Sequence, residues 1–190
     1  MNYFAFITIG GSMVKETHVK GGYLFALLAL PFIDSTYLSR YDYIYRFILL
    51  IIYIFFAYLG SLAPDIDMRG SCASKTFPKL YKIFGNKFRH RGFTHSLIFI
   101  YLLCYLSNIT LKYTDNNVVF ISSFSGLIIG CFSHIILDLF TKEGVELLYP
   151  IYINFSLLPI KTSSKTEKII CKILNIIIIL LIIHKLYLLR

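Results

Sequence analysis

The sequence predicts an all-α fold, a polytopic transmembrane helical bundle of about five spanning helices plus one short re-entrant or interfacial segment. Of its 190 residues, 57% are hydrophobic and only 15% charged, against roughly 25% charged in soluble domains. The apolar residues also fall in blocks of about 20, the length that crosses a hydrocarbon core of roughly 30 Å as helix. A backbone in lipid must bond internally, which leaves helices or a closed barrel. Continuous runs such as Ile173 to Leu189 lack the alternation of a barrel strand and read as helix. The chain reads as a single membrane domain over 1–190, with a motif-bearing core at 17–150 and a C-terminal spanning helix at about 169–189.

The spanning segments run in order from Thr17 to Leu38, Tyr43 to Ala63, Thr94 to Lys112, Val118 to Phe140 and Ile169 to Leu189. The first carries Lys20 and an internal Pro31, which should kink it. Leu147 to Ile160 is apolar but too short to span and holds Pro150 and Pro159, so it reads as the re-entrant or interfacial piece packed under the bundle. Residues 1 to 14 are mildly apolar with no basic stretch ahead of them, unlike a cleaved signal peptide. Met13 is a candidate native start, because charged and patterned sequence begins at Lys15.

Orientation follows from the bases. Arg69, Lys75, Lys79, Lys82, Lys87, Arg89 and Arg91 lie between the second and third segments. Lys142, Lys161, Lys165, Lys168 and Lys172 follow the fourth, and Lys15 and Lys20 open the first. Only Arg40, Arg46, Lys112, Lys185 and Arg190 fall on the other side. Fourteen against five is the positive-inside pattern, placing the N-terminus and both long basic loops in the cytoplasm. The net charge of +9 is therefore a membrane signature, and no nucleic-acid partner is expected. Cys72, Cys104, Cys131 and Cys171 are dispersed without C-x-x-C spacing, so they form neither a disulfide framework nor a thiolate metal site.

That topology gathers the chain's chemistry. His18, Asp65, Asp67, His90, His95, His134 and Asp138 all fall at the cytoplasmic ends of segments, whereas His184 lies towards the opposite face. His134 and Asp138 are four apart on one helix face. They are either ligands of a divalent metal, which the negative pole of the helix end also favours, or a buried His to Asp hydrogen bond between helices. Thr94 reads as an N-cap, making His95 the first helical residue and keeping its imidazole neutral beside the positive pole. The same helix start, with Arg91 and the Ser96 hydroxyl, suits an anion, while His90-Arg91-Gly92 also reads as a basic turn touching lipid headgroups. Pro64 biases Ala63 out of helix, so Asp65 and Asp67, at i and i+2 of an extended turn, should point the same way and bind one metal or bridge two. Glu143 is either a general base towards a hydrolytic water or, more plainly, a solvated loop acid. His18 gains weight from its company, with Gly21 and Gly22 allowing close helix approach. Thr17-His18 to Asp65 and Thr94-His95 to Asp138 span 47 and 43 residues, a hint of two parallel repeated hairpins.

These blocks together, namely Thr17-His18 with Gly22, Pro64-Asp65-Ile66-Asp67, His90-Arg91-Gly92-Phe93-Thr94-His95-Ser96, and Ser133-His134 through Asp138, Thr141, Gly144 and Pro150, resemble the YdjM-like family of bacterial membrane-bound proteins described as metal-dependent hydrolases. The resemblance covers about His18 to Pro150, with one departure where alanine, not a second leucine, precedes Pro64. It implies a bacterial inner-membrane protein with a divalent-metal hydrolase site, and it carries over His18, Asp65, Asp67, His90, His95, His134 and Asp138 as functional residues. It supplies no substrate.

The combined expectation is a metal site, with zinc the expected ion, built from His18, Asp65, His95, His134 and Asp138, with Asp67 and His90 behind them or at a second ion. Arg91, Ser96 and Glu143 are the candidate catalytic groups, and a lipid or phosphoester at headgroup depth is the candidate substrate. The alternative is a non-enzymatic regulatory or scaffold protein in which the cluster holds a structural metal or only hydrogen-bonds the helices. A transporter would need ionisable groups deep in the bilayer, and the middles of segments two to four have none.

Overall fold

A computed structural model of the chain describes residues 7–85, 87–158 and 160–188. Met1, Pro159, Leu189 and Arg190, which enter the reading above, lie outside these residues. Among the described residues there are seven α-helices: α1 (Ile7–Ile33), α2 (Tyr43–Leu62), α3 (Cys72–Thr76), α4 (Pro78–Phe84), α5 (Leu97–Tyr113), α6 (Val118–Leu139) and α7 (Lys165–Leu188). No strand occurs among the described residues, so the bundle is all-helical. Three stretches are long and apolar enough to cross a membrane, Lys15–Leu38, Tyr43–Asp67 and Val118–Leu139, with α5 a shorter apolar helix of 17 residues.

Local chemistry sets the helix ends. The Asp42 carboxylate accepts the Tyr45 N–H at 2.8 Å to open α2, and the Asn117 side chain accepts that of Val119 at 2.9 Å to open α6. α1 is already helical at Ile7, the first described residue and ten residues before the predicted Thr17. Pro31 falls in its last turn, so in place of a mid-helix kink the chain widens into a π turn over Asp34–Leu38 and stops. Arg46 of α2 donates to Asp34 at 2.7 Å, tying that turn down.

The packing centre is the contact between α2 and α6. A Cβ at Gly126 would lie 2.2 Å from the Tyr53 carbonyl, and one at Gly130 only 2.3 Å from that of Ala57. No side chain larger than hydrogen fits, so these glycines, spaced G-x-x-x-G, let the backbones touch. Both contacts join residues 73 apart, as does the hydrogen bond from His134 to the Ser61 carbonyl. A constant offset means α2 and α6 run parallel and in register, so their C-terminal ends emerge together. Tyr53, fully buried with Ala26, Leu49 and Ala57, donates its hydroxyl to the Ala26 carbonyl at 2.9 Å and locks α1 to α2.

The outer faces are apolar and exposed: Phe47, Ile51 and Phe55 on α2, Tyr101 and Tyr105 on α5, Ile176, Leu180 and Ile183 on α7. In a spanning bundle these are the lipid-facing rows. Residues 147–158 form an irregular loop that bonds largely to itself and its roots: Val145 and Phe155 exchange backbone hydrogen bonds at 2.9 and 3.0 Å, and the Leu157 N–H reaches the Leu139 carbonyl at 2.7 Å. It packs against the start of α5, where the Leu97 N–H donates to the Leu147 carbonyl at 3.0 Å.

Gly130→Leu should force α2 and α6 apart and lower the melting temperature in detergent by an amount corresponding to at least the roughly 1–3 kcal/mol of an overpacked core. Ile176→Ala, on the lipid face, should stay within about 0.5 kcal/mol. Equal effects would remove the case for a backbone-contact interface.

Candidate metal centre

The parallel register delivers Asp65, just past α2, and His134 with Asp138, in the last turns of α6, to one place. α2 does not end in an extended turn as Pro64 suggested. Ala63 keeps helical dihedrals (φ −62°, ψ −39°), and Ala63–Asp67 continues as a 3₁₀ turn. With three residues per turn, Asp65 and Asp67 differ in their nearest partners, yet one carboxylate oxygen of each lies within 4.8 Å of the other and of a His90 ring nitrogen, a spacing that could hold an ion. Asp65 faces His95 and His134, and Asp67 turns towards His90, Arg91 and Thr94.

Four atoms converge. His95 Nε2 lies 3.8 Å from Asp65 Oδ1 and 3.4 Å from Asp138 Oδ2, while His134 Nε2 lies 3.6 and 3.5 Å from the same two oxygens. These separations exceed the roughly 2.7–3.2 Å of a nitrogen–oxygen hydrogen bond, and among the described residues neither Nε2 has a hydrogen-bond partner although both rings are fully buried. A tetrahedral ion with bonds of about 2.0–2.1 Å holds its donors about 3.3–3.4 Å apart, close to this spacing.

The other nitrogen of each ring is engaged. His134 Nδ1 is 2.7 Å from the Ser61 carbonyl, which can only accept, so Nδ1 carries the proton and Nε2 a lone pair. His95 Nδ1 is 3.1 Å from Thr94 Oγ1, whose own hydrogen goes to Asp67 Oδ2 at 2.8 Å, so here too Nδ1 donates. Fixing Nδ1–H so that Nε2 faces the ligand site is the arrangement that outer partners impose on metal-binding histidines. His95 is not the first helical residue that its position after Thr94 suggested. α5 begins at Leu97 with Ser96 as its N-cap, so His95 sits in a preceding 3₁₀ turn (Phe93–His95), one residue before that cap.

His18 joins from α1. Its ring stacks on His134 with centroids 3.7 Å apart, and its Nε2 lies 3.5 Å from Asp138 Oδ1, the oxygen turned away from the four-atom point. His18 thus meets Asp138 of the second hairpin, while His95 reaches both Asp65 of the first and Asp138 of its own. Asp67 is fully engaged and its side chain fully buried, accepting from His90 Nδ1 at 2.9 Å, the Arg91 N–H at 3.2 Å and Thr94.

Of the candidate catalytic groups, Arg91 packs at the site. Its Nη1 donates to Thr141 Oγ1 and the Gly144 carbonyl at 2.8 and 3.2 Å, and its Nη2 lies 3.4 Å from Asp138 Oδ1. The Ser96 hydroxyl is spent: it donates to the Phe93 carbonyl at 2.7 Å and accepts the Phe99 N–H at 3.3 Å, so it is a cap and not an anion donor. Glu143 is 44% exposed and reaches Arg91 at 3.9 Å. His184 is exposed on α7 and takes no part among the described contacts. Sequence reasoning missed three contributors: Thr94 as the link from His95 to Asp67, the Ser61 carbonyl, and buried Glu146, 3.5 Å from Arg89. Only Gly126-x-x-x-Gly130, which brings Ser61 to His134, left a readable signal.

No solved structure matches the chain. It is 37% identical over 113 residues to the uncharacterized protein YvsG of Bacillus subtilis, covering 59% of this chain and 66% of that protein. It is 36% identical over 118 residues to the inner membrane protein YdjM of Escherichia coli, covering 60% of this chain and 59% of that protein. The Shigella flexneri YdjM matches to the same extent. The chain therefore spans less than two thirds of the relatives' length over the matched part. The family model described as YdjM inner membrane protein matches residues 13–190, and the chain belongs to that family of inner membrane proteins.

Proposed function

We propose that this protein is a membrane-bound, metal-dependent hydrolase, with one divalent ion, zinc by the donor chemistry, held by Asp65, His95, His134 and Asp138 and with His18 beside it. The observation that carries this reading is the pair of orphaned, buried Nε2 atoms facing two carboxylate oxygens beyond hydrogen-bond range. Imidazole and carboxylate donors in this number suit zinc. Charge supports it as well. Asp65, Asp67 and Asp138 bring three carboxylates, and Arg91 is the one permanent cation paired with them among the described residues. With neutral histidines the remaining charge is minus two, which a divalent ion balances.

Bound there, the ion would polarise a carbonyl or phosphoryl oxygen and make water a usable nucleophile at neutral pH. The chain's own residues do the rest. Ser61 and Thr94 fix the tautomers of His134 and His95, Asp67 anchors Thr94, and Arg91 holds Asp138 in place while leaving positive charge beside the substrate. A purely hydrogen-bonded cluster fits less well, because the four critical contacts are too long. The site lies at the end of the bundle where bases concentrate, so a cytoplasmic orientation of the N-terminus and both long loops accompanies this reading, with an ester or phosphoester at headgroup depth as substrate.

Protein purified in detergent should contain about one zinc per chain by elemental analysis, lost in His95→Ala and in Asp138→Ala and kept in His184→Ala. Retention of stoichiometric metal by both site variants would refute the assignment. Asp67→Asn should keep the fold and weaken zinc binding by about 10–100-fold in a chelator competition; unchanged affinity would remove Asp67 from the supporting shell. Hydrolysis of a p-nitrophenyl ester or phosphodiester should stop with chelator and return with zinc, and a stripped protein that stays equally active would overturn the hydrolase reading.

A further inference from the structure

His18 differs from its two neighbours. His95 and His134 each give Nδ1 a protein partner, whereas His18 Nδ1 is buried and has no hydrogen-bond partner among the described residues, in a residue only 4% exposed. A buried ring nitrogen left unpaired is disfavoured, so a group from outside the chain is the natural partner. His18 and Asp138 also line a cavity of about 170 Å³. Its remaining wall is mainly apolar, supplied by Leu137, Phe140, Leu158, Ile160 and Ile170. Of the polar groups in that wall, Thr17 donates to Glu167 at 3.0 Å and Thr141 to the Asp138 carbonyl at 2.8 Å, and Thr162 adds a further hydroxyl.

We infer that this cavity binds the substrate, an amphiphilic ester or phosphoester whose hydrocarbon lies against the apolar wall and whose head oxygen accepts from His18 Nδ1. His18 and Asp138 are shared with the metal centre; most of the other lining side chains offer dispersion and desolvation. The size sets the scale. An apolar cavity of about 150 Å³ accommodates benzene, so this one takes roughly six carbons, the part of a chain nearest its head. The inference rests on the hydrolase reading for the reaction, but the cavity stands apart from it. It also gives α7 a task. That helix supplies no ligand, yet Ile170 and Glu167 close the cavity over His18.

The test uses the full-length protein in phosphatidylcholine nanodiscs and hexyl phosphate carrying a terminal diazirine, with crosslinks mapped by peptide mass spectrometry and zinc content measured in parallel. Saturable labelling of the peptides that bear Leu158, Ile160 or Ile170 is expected. It should fall at least tenfold in Ile170→Trp and, independently, in Leu158→Trp, both of which fill the cavity, while zinc content and melting temperature hold. His18→Phe should raise the half-saturating concentration about tenfold. Labelling spread over the lipid-facing helices, or undiminished in both tryptophan variants, would overturn the inference. So would inorganic phosphate displacing the probe as well as unlabelled hexyl phosphate, because the hydrocarbon would then contribute nothing. Cavity labelling in a protein without metal would keep the cavity and refute the hydrolase reading; stoichiometric zinc without saturable labelling would do the reverse.

Discussion

The site depends on how closely two parallel helices can approach. α2 and α6 meet backbone to backbone because Gly126 and Gly130 present no side chain to Tyr53 and Ala57. One turn further along the same register, Ser61 offers its carbonyl to His134, and one turn beyond that Asp65 stands level with Asp138. Moving either helix outwards by the width of a methyl group would break the Ser61 bond, free the His134 tautomer and part the two carboxylates. In lipid there is no hydrophobic force to restore such a contact, so small residues must supply it through packing.

A second constraint is charge. Three aspartates at the end of an apolar bundle are tolerated only with compensation, since buried carboxylates are costly without partners. Arg91 offsets part of this from an unusual backbone position, φ 66°, held by Asp67 on its N–H and by the Glu146 N–H on its carbonyl. The loop that follows α6 is therefore built around the site: Thr141 and Gly144 receive the Arg91 guanidinium, and Leu147 receives the first amide of α5. The cluster, its counter-charge and the cavity wall form one connected polar and apolar assembly.

Much of this was legible in the residues. Apolar blocks and base clustering gave the helical membrane architecture, and the position of His18, Asp65, His95, His134 and Asp138 at segment ends foretold that they would meet. What failed did so at the scale of one turn. Pro64 argued for an extended Ala63, but a 3₁₀ turn accepts proline near its start and gives Asp65 and Asp67 different nearest partners. Thr94 and Ser96 are both good caps, but the Thr94 hydroxyl goes to Asp67 and Ser96 accepts the Phe99 N–H to open α5. The cavity was not readable, because its lining comes from α1, α6, α7 and the irregular loop between them.

The most direct test of the central claim is zinc K-edge X-ray absorption on the purified protein. The account predicts a bound ion with four or five nitrogen and oxygen neighbours at about 2.0–2.1 Å, multiple scattering from at least two imidazoles, and no sulfur shell. An edge spectrum of hydrated zinc without imidazole scattering, or a sulfur shell at about 2.3 Å, would contradict it.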